Sequence, residues 1–394
     1  MFERLRPQPT DPIIELFLRA QADPAPHKVD LSAGVYKDEQ GATPILQAVR
    51  RAEPRRLQNE DSRSYQGILG DARFTAAVAR LILGERHGMD ERLTCLHTVA
   101  GSAALFLGGR LLHAAQEKPL LWVGKPTWAN HRPLFGSAGV TLAEYPYYDS
   151  AACRLLFSEM MDALAGLPPQ SVVLLHGGCH NPSGADLSHT QWVELADLFA
   201  RKSLVPFIDV AYQGFGEGLE ADTFGWRRLA ESVPELLLAY SCSKNFALYR
   251  DRVGALLVIS KNKKAAACTR SNMMALSRAT YSMPAAHGAF LVAEILNNAE
   301  LRPLWEREVA AMRERINGMR RAFVTATRER GMGDRFDFVA AQRGMFSFLG
   351  LSAKQVQTLR DQHSVYMLDS SRISIAGLTA ANLPHVADSL RAVL

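Results

Sequence analysis

Short apolar runs, each about as long as a β-strand, constrain the fold of this chain more than any other feature. They are apolar on both faces, and most are separated by segments with helical periodicity such as 188–203. A strand that is apolar on both faces is covered by helices on both sides, as in parallel sheets. The pattern predicts an α/β fold whose large domain has a mostly parallel, mixed sheet between helices. The runs occupy residues 119–126, 171–178, 205–212, 236–244 and 254–260.

The pattern of apolar residues changes after residue 300. Pro303 opens a segment with apolar residues every three to five positions from Leu304 to Phe323, which predicts one long amphipathic helix. Acidic residues alternate with its arginines, so its polar face indicates solvation and not nucleic-acid binding. Shorter apolar runs follow and indicate a smaller α/β domain. We expect a large domain at 44–311 and a small domain formed by 1–43 and 312–394.

Composition excludes several classes of protein. The 45 basic and 40 acidic residues leave a net charge of only +5, which is weak evidence for a nucleic-acid partner. No run approaches the roughly 18 apolar residues of a membrane helix, and the first residues lack the apolar core of a signal peptide. The five cysteines include no C-x-x-C pair, which indicates free thiols in a reducing compartment. We expect a cytoplasmic protein without a membrane or nucleic-acid partner.

Polar residues at the ends of the runs are the candidates for chemistry, because ligands of parallel sheets bind at the carboxyl ends of strands. Lys244 directly follows an apolar run, where an unpaired ammonium is costly. A lysine in a Schiff base avoids that cost, although a lysine that reaches solvent fits equally well. Ser241-x-x-Lys244 also matches the serine–lysine pattern of acyl-transfer enzymes, but the companion S-D-N and K-T-G motifs are absent.

Asp209 ends a second run and Tyr212 follows it. A carboxylate there can bind a metal, cap a helix or pair with a cation. A protonated pyridine nitrogen is such a cation, and a nearby anion keeps the ring an electron sink. His176 opens the loop HGGCHNPSG, which has no acidic or cysteine partner at zinc spacing, so no metal is expected. Asn181 lies in a tight turn of this loop and can present its amide to a ligand.

Two further features suggest anion binding. Gly101 and Ser102 open a helix whose free N–H groups favour a phosphate, although simple N-capping explains such a pair more often. Arg252 can add a charge-assisted hydrogen bond. Arg278 and Arg372 can each bind a carboxylate in bidentate fashion, or can lie on the surface.

Together these segments resemble the aspartate/aromatic aminotransferase family, fold type I enzymes that depend on pyridoxal 5'-phosphate. The resemblance implies transfer of an amino group between aspartate, glutamate or aromatic amino acids and 2-oxoglutarate or oxaloacetate, with ping-pong kinetics. It also implies a homodimer with shared active sites, with residues 1 to about 10 as an arm toward the partner. The matching motifs run in order through nearly the whole chain: LSAGVYKDEQGATPIL, SYQGILGDARF, PTWANHRPLF, HGGCHNPSG, IDVAYQGFGEGL, SCSKNFALYRDRVGAL, RATYSMPAAHGA, GMFSFLGL and SRISIAG.

The resemblance also implies a role for each candidate residue. Lys244 would form the Schiff base and carry the substrate's α-proton, while Asp209 would pair with the ring nitrogen, with His176 behind it. Arg372 would bind the α-carboxylate, and Arg278 would reach a distal carboxylate across the dimer. The other expected cofactor contacts are Gly101, Ser102, Trp128, Asn181, Tyr212, Ser241, Arg252 and, from the neighbouring subunit, Tyr65. The other expected substrate contacts are Gly34, Trp128, Asn181 and Phe346.

The specificity signals are mixed. Ser102, Ser64 and Met283 depart from the aspartate-type pattern, whereas Val35, Lys37 and Thr43 fit it. A broad enzyme is therefore expected, with a strict aspartate aminotransferase as the alternative. A pyridoxal phosphate-dependent decarboxylase or a non-catalytic binding module are more distant alternatives. Asp369 stands close to Arg372 where small apolar residues are usual.

Overall fold

The structure, a computed structural model, describes residues 1–7 and 12–394. Its α-helices there are α1 (Pro12–Ala22), α2 (Gln47–Asn59), α3 (Ala72–Gly88), α4 (Ala100–Ala115), α5 (His131–Ser137), α6 (Phe157–Ala165), α7 (His189–Lys202), α8 (Phe224–Ser232), α9 (Lys263–Thr280), α10 (Ala286–Asn297), α11 (Leu301–Glu329), α12 (Phe338–Ala341), α13 (Ala353–His363) and α14 (Leu383–Val393). Short 3₁₀ turns lie at Phe2–Arg4, Ala221–Thr223 and Ile375–Gly377. The strands are β1 (Val29–Asp30), β2 (Leu93–Val99), β3 (Leu120–Lys125), β4 (Thr141–Pro146), β5 (Tyr148–Asp149), β6 (Arg154–Leu155), β7 (Val172–His176), β8 (Val205–Val210), β9 (Leu236–Ser241), β10 (Val253–Ile259), β11 (Phe346–Phe348), β12 (Val365–Tyr366) and β13 (Arg372–Ser374).

A seven-stranded sheet forms the centre of the molecule, in the order β2-β10-β9-β8-β7-β3-β4. Strands β4, β3, β7, β8 and β9 are parallel, and β10 runs antiparallel to both of its neighbours. The predicted α/β fold with a mostly parallel, mixed sheet is confirmed. All five apolar runs form strands of this sheet. The edge strands β2 and β4 were not predicted, because they mix polar and apolar residues and are only partly buried.

Helices cover both faces of the sheet, as strand β7 illustrates. Val173 and Leu175 belong to the apolar cluster that packs against α3, α7, α8 and α10. Val172 and Leu174 point to the other face and join a second cluster with α4, α5 and α9. Successive side chains of a strand point to opposite faces, so a doubly covered strand needs an uninterrupted apolar run. This is the physical reason that the runs were visible in the sequence.

The two ends of the chain meet beside this sheet. Val29 of β1 pairs with Val365 of β12 in a parallel ladder, and β11 pairs antiparallel with β13. The long helix predicted from Pro303 is α11, which covers 301–329 and therefore runs through the predicted domain boundary at 311/312. The division into two domains stays a prediction. The predicted N-terminal arm falls partly on residues 8–11, which lie outside the described residues.

Within the described ranges, no helix is both long and apolar enough to cross a lipid bilayer.

Candidate active site

A cavity opens at the carboxyl ends of the parallel strands. His176 is the last residue of β7, Asp209 lies near the end of β8, and Lys244 follows the end of β9. All three reach the same cavity, and residues from the chain ends close it from the other side. It is lined by Ile13, Gly34, Ala100, Gly101, Ser102, Leu105, Trp128, His176, Asn181, Asp209, Ala211, Tyr212, Ser241, Ser243, Lys244, Tyr249, Arg252, Phe346 and Arg372.

Lys244 is the candidate nucleophile of this cavity. Its Nζ lies 4.9 Å from the centre of the Tyr212 ring. Burial lowers the pKa of Lys244 to about 8, and the positive charge of Arg252 adds to this effect while the Asp209 carboxylate opposes it. Burial dominates because an ammonium loses its hydration there. A substantial fraction of the amine is therefore neutral and nucleophilic near pH 8.

Asp209 is held ionised in the floor of the cavity. Burial by itself would raise its pKa, but the hydrogen bond from His131 and the electrostatic influence of the neighbouring His131, His176 and Lys244 side chains outweigh burial and lower the pKa. His131 Nε2 lies 3.1 Å from Asp209 Oδ2. A buried carboxylate with this support can stabilise a cationic group in the cavity.

A hydrogen-bonded chain continues behind Asp209. Thr127 Oγ1 lies 2.8 Å from His131 Nδ1 and 3.1 Å from His176 Nε2. Burial lowers the pKa of His176 to about 3, so its ring is neutral. Because the ionised Asp209 carboxylate can only accept, His131 Nε2–H donates to it, and the Thr127 hydroxyl links the other nitrogen of His131 to His176 Nε2.

His176 was expected behind Asp209. The hydrogen bond to that carboxylate comes from His131, and His176 joins the chain through Thr127. His131 and Thr127 were not among the predicted residues. They flank Trp128 in the PTWANH segment. This segment directly follows the apolar run 119–126, so the strand-end signal could have indicated Thr127, whereas His131 lies further on, at the start of α5.

Arg372 also lines the cavity, and hydrogen bonds hold its guanidinium in place. Its Nη2 donates to the Ser32 carbonyl at 2.6 Å and its Nη1 donates to Asn181 Oδ1 at 3.3 Å. Asn181 Nδ2 in turn donates to the Tyr212 hydroxyl at 3.4 Å. The guanidinium is therefore linked by hydrogen bonds to Asn181 and Tyr212, the two residues expected at the ring hydroxyl of the cofactor. It is buried beside the Phe346 ring.

The amino end of α4 can hold an anion. Gly101 and Ser102 lie in its first turn, and no side chain caps that end. Free backbone N–H groups and the helix dipole both favour a negative group there. The helix starts at Ala100, which has φ +60° and donates its N–H to the Arg252 carbonyl. The side chains of Ser102, Ser241, Ser243 and Arg252 line the same part of the cavity.

The close approach of α4 to the sheet depends on Gly254 of β10. A Cβ at this position would lie 2.5 Å from the carbonyl carbon of Ala100 and 2.8 Å from the backbone nitrogen of Gly101. Only glycine permits that approach. Gly254, Ser243 and Ala100 are site-forming residues that the sequence did not reveal.

Tyr65 and Arg278 lie away from this cavity. Tyr65 is 93% exposed. Arg278 is exposed in the last turn of α9 and donates a hydrogen bond to Ser282. Both residues were expected to reach the active site of a neighbouring subunit. Their roles stay predictions.

The sequence and the architecture match known proteins. The family model for class I and II aminotransferases matches residues 26–390. The chain belongs to this family. The aromatic-amino-acid aminotransferase of Pseudomonas aeruginosa is 45% identical over 394 residues, which cover 100% of this chain and 98% of the relative. The aspartate aminotransferase of Escherichia coli is 41% identical over 396 residues, with 100% of both chains covered.

A solved structure gives the same result. The aromatic-amino-acid aminotransferase of Burkholderia pseudomallei, covalently bound to pyridoxal phosphate, superposes with a TM-score of 0.96 and 39% identity over 100% of this chain and 99% of that chain. The predicted aminotransferase class is confirmed. The alternative of a serine–lysine acyl-transfer enzyme does not fit this family. In the structure, the Ser241 hydroxyl donates to Ser243 Oγ at 3.1 Å.

Proposed function

We propose that this aminotransferase uses pyridoxal 5'-phosphate and accepts both dicarboxylic and aromatic amino acids. One observation carries the proposal: a buried lysine with a pKa of about 8, an ionised aspartate and a buried arginine line the same cavity. An amino acid offers an amine and a carboxylate on one carbon. Lys244 and Arg372 are suited to these two groups.

The donor set of the cavity fits the cofactor. The amino end of α4 with Ser102, Ser241 and Arg252 would hold the phosphate, as charge-assisted donors around an anion. Asp209 would bind the ring nitrogen, and Trp128 would cover the ring. Asn181 and Tyr212 would donate to the ring hydroxyl. His176 would keep the chain behind Asp209 ordered.

Bound in this way, the cofactor would supply a ring that withdraws the electron pair left when the substrate's α-carbon loses its proton. The neutral amine of Lys244 would remove that proton as a general base and return it as a general acid. Asp209 would stay ionised during the reaction and keep a proton on the ring nitrogen. Tyr212 would keep its own proton, because burial raises its pKa.

Arg372 would orient the substrate through its α-carboxylate. Its hydrogen bonds to Ser32 and Asn181 fix the guanidinium before substrate arrives, so less conformational entropy is lost on binding. Gly34 and Phe346 would shape the adjoining space. Holding the carboxylate favours transamination over decarboxylation, in which that group must leave.

A homodimer would complete the site. Tyr65 and Arg278 are exposed in the single chain, as expected for residues that act in a partner's cavity. Tyr65 would contact the phosphate and Arg278 the distal carboxylate of a dicarboxylic substrate. An arginine on an exposed helix end could also swing away from an aromatic side chain. The mixture of aromatic and aspartate aminotransferases among relatives of 41–45% identity supports a broad range.

The cytoplasm is the proposed compartment. All five cysteines are free, which suits reducing conditions. The nearly balanced charge favours small-molecule substrates over nucleic-acid partners. The proposed division of the chain is a large domain at 44–311 and a small domain formed by 1–43 and 312–394.

A visible spectrum of the purified protein tests the proposal. Aspartate and phenylalanine are added in turn without a keto acid, and the cofactor absorption is followed. We expect both amino acids to convert the absorption band, and Lys244→Ala to prevent a complete catalytic cycle. Conversion by aspartate alone would indicate a strict aspartate aminotransferase. No absorption after addition of pyridoxal phosphate would refute the proposal.

A further inference from the structure

Arg320 carries a buried positive charge outside the cavity. It lies in the middle of α11 and its side chain is almost fully enclosed, at 1% exposure. Its Nη1 and Nη2 groups lie within hydrogen-bond distance of five acceptors, and none of these is a carboxylate. Nη1 donates to the Val339 carbonyl (3.0 Å) and to Ser347 Oγ (2.8 Å), and Nη2 donates to the carbonyls of Arg343 (3.0 Å), Gly344 (2.7 Å) and Phe346 (2.7 Å).

The charge is retained although it is enclosed. Burial lowers the pKa of Arg320 to about 10, which still leaves the guanidinium protonated at neutral pH. No carboxylate forms an ion pair with Arg320 among the described residues, and Asp186 favours its charge only from a longer distance. Enclosing a charge without an opposite charge is costly unless hydrogen bonds replace its hydration. The planar guanidinium provides those bonds, because two of its nitrogens face several carbonyl oxygens.

The accepting carbonyls belong to the segment that leads into β11 and delivers Phe346 to the cavity. This segment makes a sharp turn at Gly344, where φ is +74°. It also packs against the Asn181 loop, since Arg343 donates its N–H to the Gly184 carbonyl at 2.8 Å. Arg320 thus joins α11 to the backbone immediately around Phe346.

The Phe346 ring has little freedom inside the cavity. It lies beneath Arg372, whose guanidinium carbon is 4.3 Å from the ring centre. On another side, a Cβ at Gly34 would come within 3.0 Å of Phe346 Cζ. Strand pairing places Phe348 opposite Arg372. A shift of the Phe346 backbone would therefore move the ring that supports Arg372.

We propose that Arg320 is a positioning residue that fixes the Phe346 backbone and, through the Phe346 ring, the orientation of Arg372 for carboxylate binding. The inference rests on the proposed function, in which Arg372 binds the substrate carboxylate. Arg320 itself touches neither substrate nor cofactor. Its effect should therefore appear in carboxylate binding and leave the cofactor contacts unchanged.

Arg320→Lys tests this role, because lysine keeps the charge but lacks the planar fork. Arg321→Lys, an exposed neighbour on the same helix, is the matched control. Succinate, a dicarboxylate that cannot be transaminated, is titrated into the pyridoxal phosphate-loaded proteins by calorimetry. Hydrogen exchange of the backbone amides at 344–348 is measured in parallel.

We expect succinate to bind Arg320→Lys roughly ten- to a hundredfold more weakly, the scale of small misplacements in a site. KM for aspartate should rise by a similar factor with a smaller change in kcat, while cofactor absorption is retained. Exchange at 344–348 should accelerate. Arg321→Lys should match the unchanged protein in each measurement.

Unchanged succinate affinity in Arg320→Lys would overturn the inference, even if the variant is less stable. If Arg320→Lys does not fold, Ser347→Ala removes a single acceptor of the Arg320 guanidinium and should weaken succinate severalfold. Unchanged succinate affinity in Ser347→Ala would also overturn the inference. Failure of the unmodified protein to transaminate would instead refute the proposed function.

Discussion

His131 donates its Nε2–H to Asp209 Oδ2 over 3.1 Å, and both side chains are buried. Burial has the largest influence on the pKa of Asp209 and raises it, and this hydrogen bond is the strongest of the influences that lower it. The ionised state of the carboxylate therefore depends on the first residue of helix α5, which lies 78 positions earlier in the chain. Without the hydrogen bond from His131, burial would raise the pKa of Asp209.

His131→Phe should reduce kcat/KM about ten- to a hundredfold, because a hydrogen bond to a charged group contributes about 1.5–3 kcal/mol. The acidic limb of the pH–rate profile should move to higher pH, since Asp209 would be protonated more easily. Thr127→Ser, which keeps the hydroxyl that bonds to His131, is the control. An unshifted acidic limb in His131→Phe would contradict this account.

Gly254→Ala should weaken pyridoxal phosphate binding at least tenfold, which is about 1.4 kcal/mol. The new Cβ would press on the backbone of Ala100 and Gly101 and push the amino end of α4 away from the sheet. Equilibrium titration of cofactor-free protein, followed by absorbance, measures the effect.

Gly318→Ala is the control for this substitution. Gly318 lies within α11, and a Cβ there meets no atom within 4 Å. This variant should bind the cofactor normally and be more stable by about 0.5–1 kcal/mol. Equal cofactor affinity in the two variants would rule out a role for the contact between α4 and β10.

His97 should make the protein less stable in acid. Burial lowers its pKa from 6.5 to about 4, and neither ring nitrogen has a hydrogen-bond partner among the described residues. Between these pH values the unfolded chain binds a proton that the folded chain does not, so stability falls as pH falls. This contribution is about 2–3 kcal/mol between pH 7 and pH 4.5.

The free energy of unfolding in urea at both pH values tests the role of His97. His97→Met should lose less stability between pH 7 and pH 4.5 than the unchanged protein, by about 2–3 kcal/mol. The exposed His113, changed to Met, is the control and should keep the original pH dependence. Identical losses in all three proteins would show that His97 titrates normally in the fold.

Arg278→Ala should reduce kcat/KM for aspartate roughly ten- to a hundredfold and for phenylalanine less than about threefold. Only aspartate offers a distal carboxylate to this guanidinium, and a charged hydrogen bond contributes about 1.5–3 kcal/mol. Arg270→Ala, an exposed arginine on the same helix, controls for loss of surface charge. Equal losses for both substrates would exclude a swinging arginine.

Much of the fold and of the cavity was predictable from local patterns. Strands β7, β8 and β9 are covered on both faces, so their sequences are unbroken apolar runs. His176, Asp209 and Lys244 stand out because each one interrupts or follows such a run. The order of motifs along the chain then indicated the family, and the match over residues 26–390 confirmed it.

The sequence by itself determined the fold class, the family and the residues that meet at the strand ends, because apolar periodicity and strand-end chemistry are local properties. Only the tertiary structure decided how those residues are supported. Asp209 depends on His131, α4 approaches the sheet over Gly254, and Arg320 holds the Phe346 backbone. These contacts join residues far apart in the chain, and their strength comes from burial and hydrogen-bond geometry, which exist only once the chain has folded.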